Sequence, residues 1–145
     1  MRNKAVIGIG SNIAPDKNIA KTRQLLAQRF TVLKESPYIR TKPIGKQKQP
    51  DFMNGAVLIE TEKDQTSVIQ ELKSLEKEIG RTPDHDPQGP RTIDLDLVVW
   101  NNQVIDPDVF ERDFLKKLVL DVAPSLESSL DIVGTPKNRK EWHEF

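Results

Sequence analysis

The chain has 145 residues, 36% apolar and 30% charged, which suits one domain with a single core and well-solvated helix faces. Lysine plus arginine balances aspartate plus glutamate at 22 each, so no global field favours nucleic acid or an anionic membrane. There is no cysteine for a disulfide or thiolate site, and the opening MRNKAVIGIGSN has too short an apolar stretch for a signal peptide or membrane span. The expectation is a soluble, cytoplasmic monomer that partners neither nucleic acid nor membrane, folded as one domain over 1–145 with a core at 4–124 and a tail at 125–145.

Residues 4–12, KAVIGIGSN, read as a buried strand of β-branched residues that runs into a Gly-Ser-Asn turn. A helix follows over 14–30, with Asp16 placed to cap it and Ile19, Leu25, Leu26 and Phe30 at roughly helical spacing. Residues 31–40 alternate as a strand, in which Pro37 marks an edge or an interruption. The loop 41–50, TKPIGKQKQP, is too polar to pack by itself. A strand over 51–62 leads to a helix over 64–81, with Val68, Leu72, Leu75 and Ile79 as its apolar stripe and Gly80 as its stop. Three prolines and a glycine bar 82–90, TPDHDPQGP, from regular structure. A strand over 91–100, a turn at Asn101-Asn102 and a short QVI strand come next. One helix then spans 106–124, opened by Asp-Pro and ended at Pro124. Strand–helix–strand twice over, then a helix, matches the split βαβ, ferredoxin-like plan. That is an α+β sandwich: an antiparallel sheet with helices on one face and substrate loops on the other.

The segment GPRTIDLDLVVW (89–100) sets two carboxylates in an apolar strand. Asp94 and Asp96 share a face, about 7 Å apart along the backbone, while Ile93, Leu95, Leu97 and Val99 take the other. Carboxylates this close repel, and one tends to hold its proton. Magnesium resolves the conflict, since it takes hard oxygens and normally uses one or two carboxylates plus substrate phosphates. Arg91, just upstream, suits a bidentate hold on phosphate. The plainer alternative is a structural ion pair of either aspartate with Arg91. The setting, directly after a Gly-Pro loop and inside a β-branched strand, favours the functional reading.

This segment resembles the signature of the 6-hydroxymethyl-7,8-dihydropterin pyrophosphokinase family of folate biosynthesis. IGSNI (9–13), YIRTKPIG (38–45), QPDFMNGAV (49–57) and LEKEIGR (75–81) resemble further family segments, in the family's order and at nearly its spacing. The likeness runs from residue 5 to about 124. It implies transfer of pyrophosphate from ATP to the hydroxymethyl group of the reduced pterin, with release of AMP. Carried over position by position, it implies that Asp94 and Asp96 hold two magnesium ions on the ATP phosphates. Asn54 would hydrogen-bond the pterin edge, Phe52 and Phe114 would stack on the ring, and Thr41, Lys42 and Ile44 would line the same pocket. Arg81, Arg91 and Arg112 would contact phosphates, while Ile69, Glu76 and Leu97 border the nucleotide. No obvious general base appears; the candidates are an Asp94 carboxylate or a metal-bound alkoxide. Taken singly, the same residues have plainer readings: Phe52 and Phe114 as core aromatics, Asn54 as a bulge or turn residue, Arg81 as a helix-terminal cation, Arg112 as solvated.

The chain departs from the family pattern twice. Before Gly-Pro-Arg the family carries two more arginines and a tryptophan that form a lid; here 82–90 has two aspartates, His85 and Gln88. The family's Pro-His element, which touches ATP, is replaced by Asp-Pro in the shorter VIDPDVFERDF. The lid covers both substrates in the family, so the losses fall mainly on the ATP side and point to weaker ATP binding or slower closure. The alternative reading is a non-catalytic or altered-substrate relative that binds a pterin or nucleotide. A nucleotidyltransferase of the Gly-Ser…Asp-x-Asp type is disfavoured because Ser11 lies more than eighty residues before Asp94. An RNA-binding ferredoxin-like domain is disfavoured by the missing sheet aromatics and the zero net charge.

Overall fold

The structure, a computed structural model, describes residues 2–42, 50–80 and 92–126. In chain order these form β1 (Asn3–Ser11), α1 (Pro15–Arg29), β2 (Thr31–Glu35), β3 (Ile39–Thr41), β4 (Phe52–Thr61), α2 (Gln65–Ile79), β5 (Asp94–Trp100), β6 (Gln103–Val104), α3 (Asp108–Glu111) and α4 (Asp113–Val122), then a 3-10 turn at Pro124–Leu126. The strands pair antiparallel in the order β2-β4-β1-β5-β6, and β3 extends the β2 edge along β4. This is the expected α+β, ferredoxin-like arrangement. Pro37 interrupts the second strand as anticipated and divides it into β2 and β3. Arg81, Arg91, Ile44, the segment 82–90 with His85 and Gln88, and the tail beyond 126 lie outside the described residues.

The first face of the sheet carries α1 and α2. Ala5, Ile7 and Ile9 of β1 alternate onto it and meet Val57 and Ile59 of β4, Leu95 and Leu97 of β5, and the buried stripe Val68, Leu72, Leu75 and Ile79 of α2. The α2 helix is well bounded: Asp64 accepts the Ser67 N–H at 2.8 Å, and Gly80 closes the helix at φ 119°, a left-handed conformation suited to glycine. The α1 start differs from expectation. Ala14, not Asp16, is the N-cap, with φ 40° and no side-chain cap. Pro15 fixes the start, because its locked φ and missing N–H suit the first helical position. Asp16 then lies inside the first turn, where its charge meets the positive helix end.

The second face is not left to loops alone. Leu118, Val119 and Val122 of α4 pack on Val6, Ala56, Val98 and Val99, so helices cover both sides of the sheet. The reason lies in the strands: β1 and β5 carry valines on this face at one end only, and that end needs a cover. Val99 was expected beside Leu97 and is instead in this second core. Val6 pairs with Val99 and Ile7 with Leu97, which leaves Val98 as an extra residue; the bulge resets the alternation. The helix expected over 106–124 is likewise two helices, broken at Arg112 (φ −122°, ψ 110°). Val109 and Leu118 are nine residues apart and would lie on roughly opposite sides of one continuous helix. The break brings both into the second core.

Candidate functional site

Beyond the N-terminal turn of α4, the second face opens into a cleft of about 800 Å³ that continues around the free edge of β5 to α2. Its floor is three strands in register. Asn54 of β4 pairs with Gly10 of β1, which pairs with Asp94 of β5; one step along, Ala56 pairs with Gly8 and Gly8 with Asp96. Neighbouring strands lie about 4.8 Å apart, so Asn54 and Asp94 stand about 10 Å apart with only a glycine between them.

The strand ends are tied down by buried polar groups of the IGSNI segment. Ser11 Oγ donates to the Thr92 carbonyl at 2.6 Å, and Asn12 Nδ2 donates to the Pro50 carbonyl at 3.0 Å. The free edge of β5 is held from α2, where a Glu76 carboxylate oxygen accepts the Leu95 N–H at 2.8 Å. Glu76 therefore fixes the strand that carries Asp94 and Asp96. At the other end, Thr41 of β3 pairs with Phe52 of β4, and Asn54 Nδ2 donates to Thr41 Oγ1. The β2–β3 corner is fastened by Tyr38, whose ring lies directly against Gly55 and whose hydroxyl donates to Glu35 at 2.8 Å.

All of the anticipated site residues that are described line this one cleft: Thr41, Lys42, Phe52, Asn54, Ile69, Glu76, Asp94, Asp96, Leu97, Arg112 and Phe114. Both phenylalanines reach the cleft and neither is fully buried, and Phe114 also packs against the second core. Sequence reasoning passed over Gly8, Gly10, Lys73, Asp106 and Asp108, which also line it. Lys73 had a findable signal, because Ile69, Lys73 and Glu76 share one helical face at spacings of four and three. Asp106 has signals in the sequence only as a helix opener and as part of the Asp-Pro that stands in place of Pro-His, and Asp108 has none.

The electrostatics favour a cation. The described lining carries the carboxylates of Glu76, Asp94, Asp96, Asp106 and Asp108 against Lys42, Lys73 and Arg112. Asp96 keeps open area toward the cleft, yet it lies deep among protein atoms. Loss of hydration there, then the Asp94 charge and a hydrogen bond to Asp94, with further push from Asp106 and Glu76, holds its carboxyl well above the usual carboxylate range. Asp106 is also raised, chiefly by burial, with Asp108 and Asp94 adding to the shift. Its Oδ1 accepts the Asp108 N–H at 3.0 Å. Among the described residues no three carboxylate or imidazole side chains stand close enough to hold a metal ion by themselves. A hard divalent cation that takes two carboxylates and completes its shell with ligand oxygens and water fits the Asp94–Asp96 donor set. The structural ion pair of these aspartates with Arg91 involves a residue outside the described ones.

A family model described as 7,8-dihydro-6-hydroxymethylpterin-pyrophosphokinase (HPPK) matches residues 6–124. The 2-amino-4-hydroxy-6-hydroxymethyldihydropteridine pyrophosphokinase of Bacillus subtilis is 30% identical over 138 residues, covering 88% of this chain and 82% of that protein. The protein of the same name from Haemophilus influenzae is 29% identical over 140 residues, covering 89% and 83%. The folic acid synthesis protein fol1 of Schizosaccharomyces pombe is 31% identical over 137 residues, which are 86% of this chain and 19% of that much longer protein.

Proposed function

This chain belongs to the 7,8-dihydro-6-hydroxymethylpterin-pyrophosphokinase family, and from that premise we propose that it transfers pyrophosphate from ATP to the hydroxymethyl oxygen of 6-hydroxymethyl-7,8-dihydropterin, releasing AMP, in folate biosynthesis. The observation that carries this reading is the row across the cleft floor: Asn54, Gly10 and Asp94 in register, with Asp96 one step along. It sets an amide that can read a heterocycle edge beside a carboxylate pair suited to phosphate-bound cations.

The pterin is flat, with donors and acceptors around its rim. In this reading Asn54 hydrogen-bonds that rim, Phe52 and Phe114 stack on the faces, and Thr41, Lys42 and Ile44 complete the slot. Asp94 and Asp96 hold two magnesium ions, which supply Lewis acidity that draws charge off the phosphate oxygens. Arg81, Arg91 and Arg112 neutralise the remaining phosphate charge, and Ile69, Glu76 and Leu97 border the nucleotide. Attack of a neutral alcohol at a phosphorus shielded by negative oxygens needs alignment and charge neutralisation more than covalent help, and the site supplies both. Asp94 is the proton acceptor we assign.

The same reading takes the chain as one domain, monomeric and cytoplasmic, with no nucleic-acid or membrane partner. Among the described residues no helix is long and apolar enough to cross a membrane. The deciding experiment is calorimetry with the reduced hydroxymethylpterin and a non-hydrolysable ATP analogue, with and without magnesium, followed by an assay of AMP release. Binding of both ligands with AMP formation is expected. Pterin binding with no AMP would sink catalysis and leave a binding protein.

A further inference from the structure

Glycine inside a strand weakens it and calls for a reason. Gly10 lies in the middle of the sheet, paired on both sides, and its backbone is not in the left-handed region; the one such glycine among the described residues is Gly80. The reason is therefore steric. A Cβ built at position 10 would stand 2.8 Å from Asn54 Oδ1 and 3.9 Å from Asn54 Cγ, and no other described side chain comes within 4 Å of it. Neither carboxylate of β5 is touched, although Asp94 is Gly10's partner in the ladder.

We propose that Gly10 is a positioning residue for the heterocycle: its missing side chain lets the Asn54 amide lie across β1, held at its nitrogen end by Thr41 Oγ1 and at its oxygen end by the surface of Gly10. The proposal rests on the pterin reading above and deepens it. A planar amide read by a flat ligand must present its donor and acceptor in the plane of the ring, and an amide free to rotate pays that ordering cost on each binding event. Thr41 anchors the nitrogen end, which donates to its hydroxyl. Gly10 sets the tilt. A methyl group at this position moves the loose end of one side chain and leaves the backbone ladder alone, so its effect falls on ligand recognition.

The test is Gly10→Ala in the full chain, with Asn54→Ala and the double variant. Dissociation constants for the reduced hydroxymethylpterin and for a non-hydrolysable ATP analogue with magnesium are measured by calorimetry. The Asn54 side-chain amide signals, assigned by their loss in Asn54→Ala, are followed by NMR. The expected result for Gly10→Ala is pterin affinity weakened about tenfold or more, as one misplaced buried hydrogen bond requires. The analogue's affinity should stay within about twofold and the amide signals should shift. In the Asn54→Ala background, Gly10→Ala should then change pterin affinity by less than about twofold. Fully additive losses, or an equal loss for the nucleotide, overturn the proposal. If Gly10→Ala does not fold, the double variant is expected to fold because the obstructing atom is gone; failure of both overturns it. Should the wild type bind no pterin, the functional reading fails by itself, and unmoved Asn54 signals in Gly10→Ala are then what overturns the placement.

Discussion

The two faces of the sheet are built on different rules. The first is regular where α2 packs on it: β1, β4 and β5 alternate onto it, α2 is capped at both ends, and its four-residue stripe is buried without exception. The second breaks its pattern at every point that matters to the cleft. Two glycines replace side chains in β1, a bulge at Val98 shifts β5, a break at Arg112 divides the helix, and carboxylates stand where apolar residues would pack. Local rules fail where a structure is shaped for a ligand, and here the failures gather on one side. The larger apolar core lies on the first face, while the floor of the cleft lies on the second.

The largest effect that sharpens this contrast is on turnover. Asp96→Asn is expected to lower AMP formation about a thousandfold or more, as loss of a charge-holding group at a transition state does. Its melting temperature without magnesium should stay the same or rise, because asparagine is neutral beside Asp94 at every pH and can still donate a hydrogen bond to it. Turnover within tenfold of wild type would mean that the pair is not the reacting centre. The mirror case is Leu75→Ala on the first face. Leu75 is fully buried, so about 2–5 kcal/mol of stability should be lost in denaturant unfolding, with ligand affinities of the folded fraction little changed. A large affinity loss there would erase the division between the faces.

A subtler break concerns pH. Folded Asp96 keeps its proton at pH values where the unfolded chain, titrating near pH 4, has lost it. The folded state thus binds more protons, and stability must fall as pH rises. The advantage is full below about pH 4 and disappears as pH passes through the raised value of Asp96. Asp106 acts in the same direction. Denaturation midpoints of the magnesium-free protein should decline over that window, and Asp96→Asn should remove most of the slope. A slope of the opposite sign would show that these carboxylates are paired with cations in the free protein.

Most of the first face was legible in the sequence because periodicity and capping are local. The stripe from Val68 to Ile79 and the Gly80 stop each announce themselves within a few residues, whereas the α1 cap does not. The carboxylate pair was legible too, since two residues along a strand must share a face. What escaped depends on register between distant segments. No local signal tells that Gly10 lies beside Asn54, that Val98 is extra relative to Val6 and Ile7, or that Val109 and Leu118 must reach the same core. Asp106 escaped because Asp-Pro is a good helix opener in any context. Its distant neighbour in the cleft, Asp94, is brought near by the β5–β6 hairpin.

The smallest expected effect tests how the second face manages its excess of negative charge. Arg112 and Asp108 form an ion pair at 3.4 Å, both more than a third exposed. Such a pair contributes at most about half a kcal/mol, so Asp108→Ala should leave unfolding nearly unchanged. Its consequence lies in the cleft. On the proposed reading Asp108 would compete with phosphate for the Arg112 guanidinium, and it adds a fourth aspartate to the lining. Removing it should tighten binding of the ATP analogue about two- to threefold, which is roughly half a kcal/mol. The Asp106 bond to the residue 108 N–H is made by the backbone and survives the change, so the α3 start should stay in place. If the variant binds the analogue more weakly instead, Asp108 orients the guanidinium toward phosphate, and the ion pair belongs to the ordered machinery of the site.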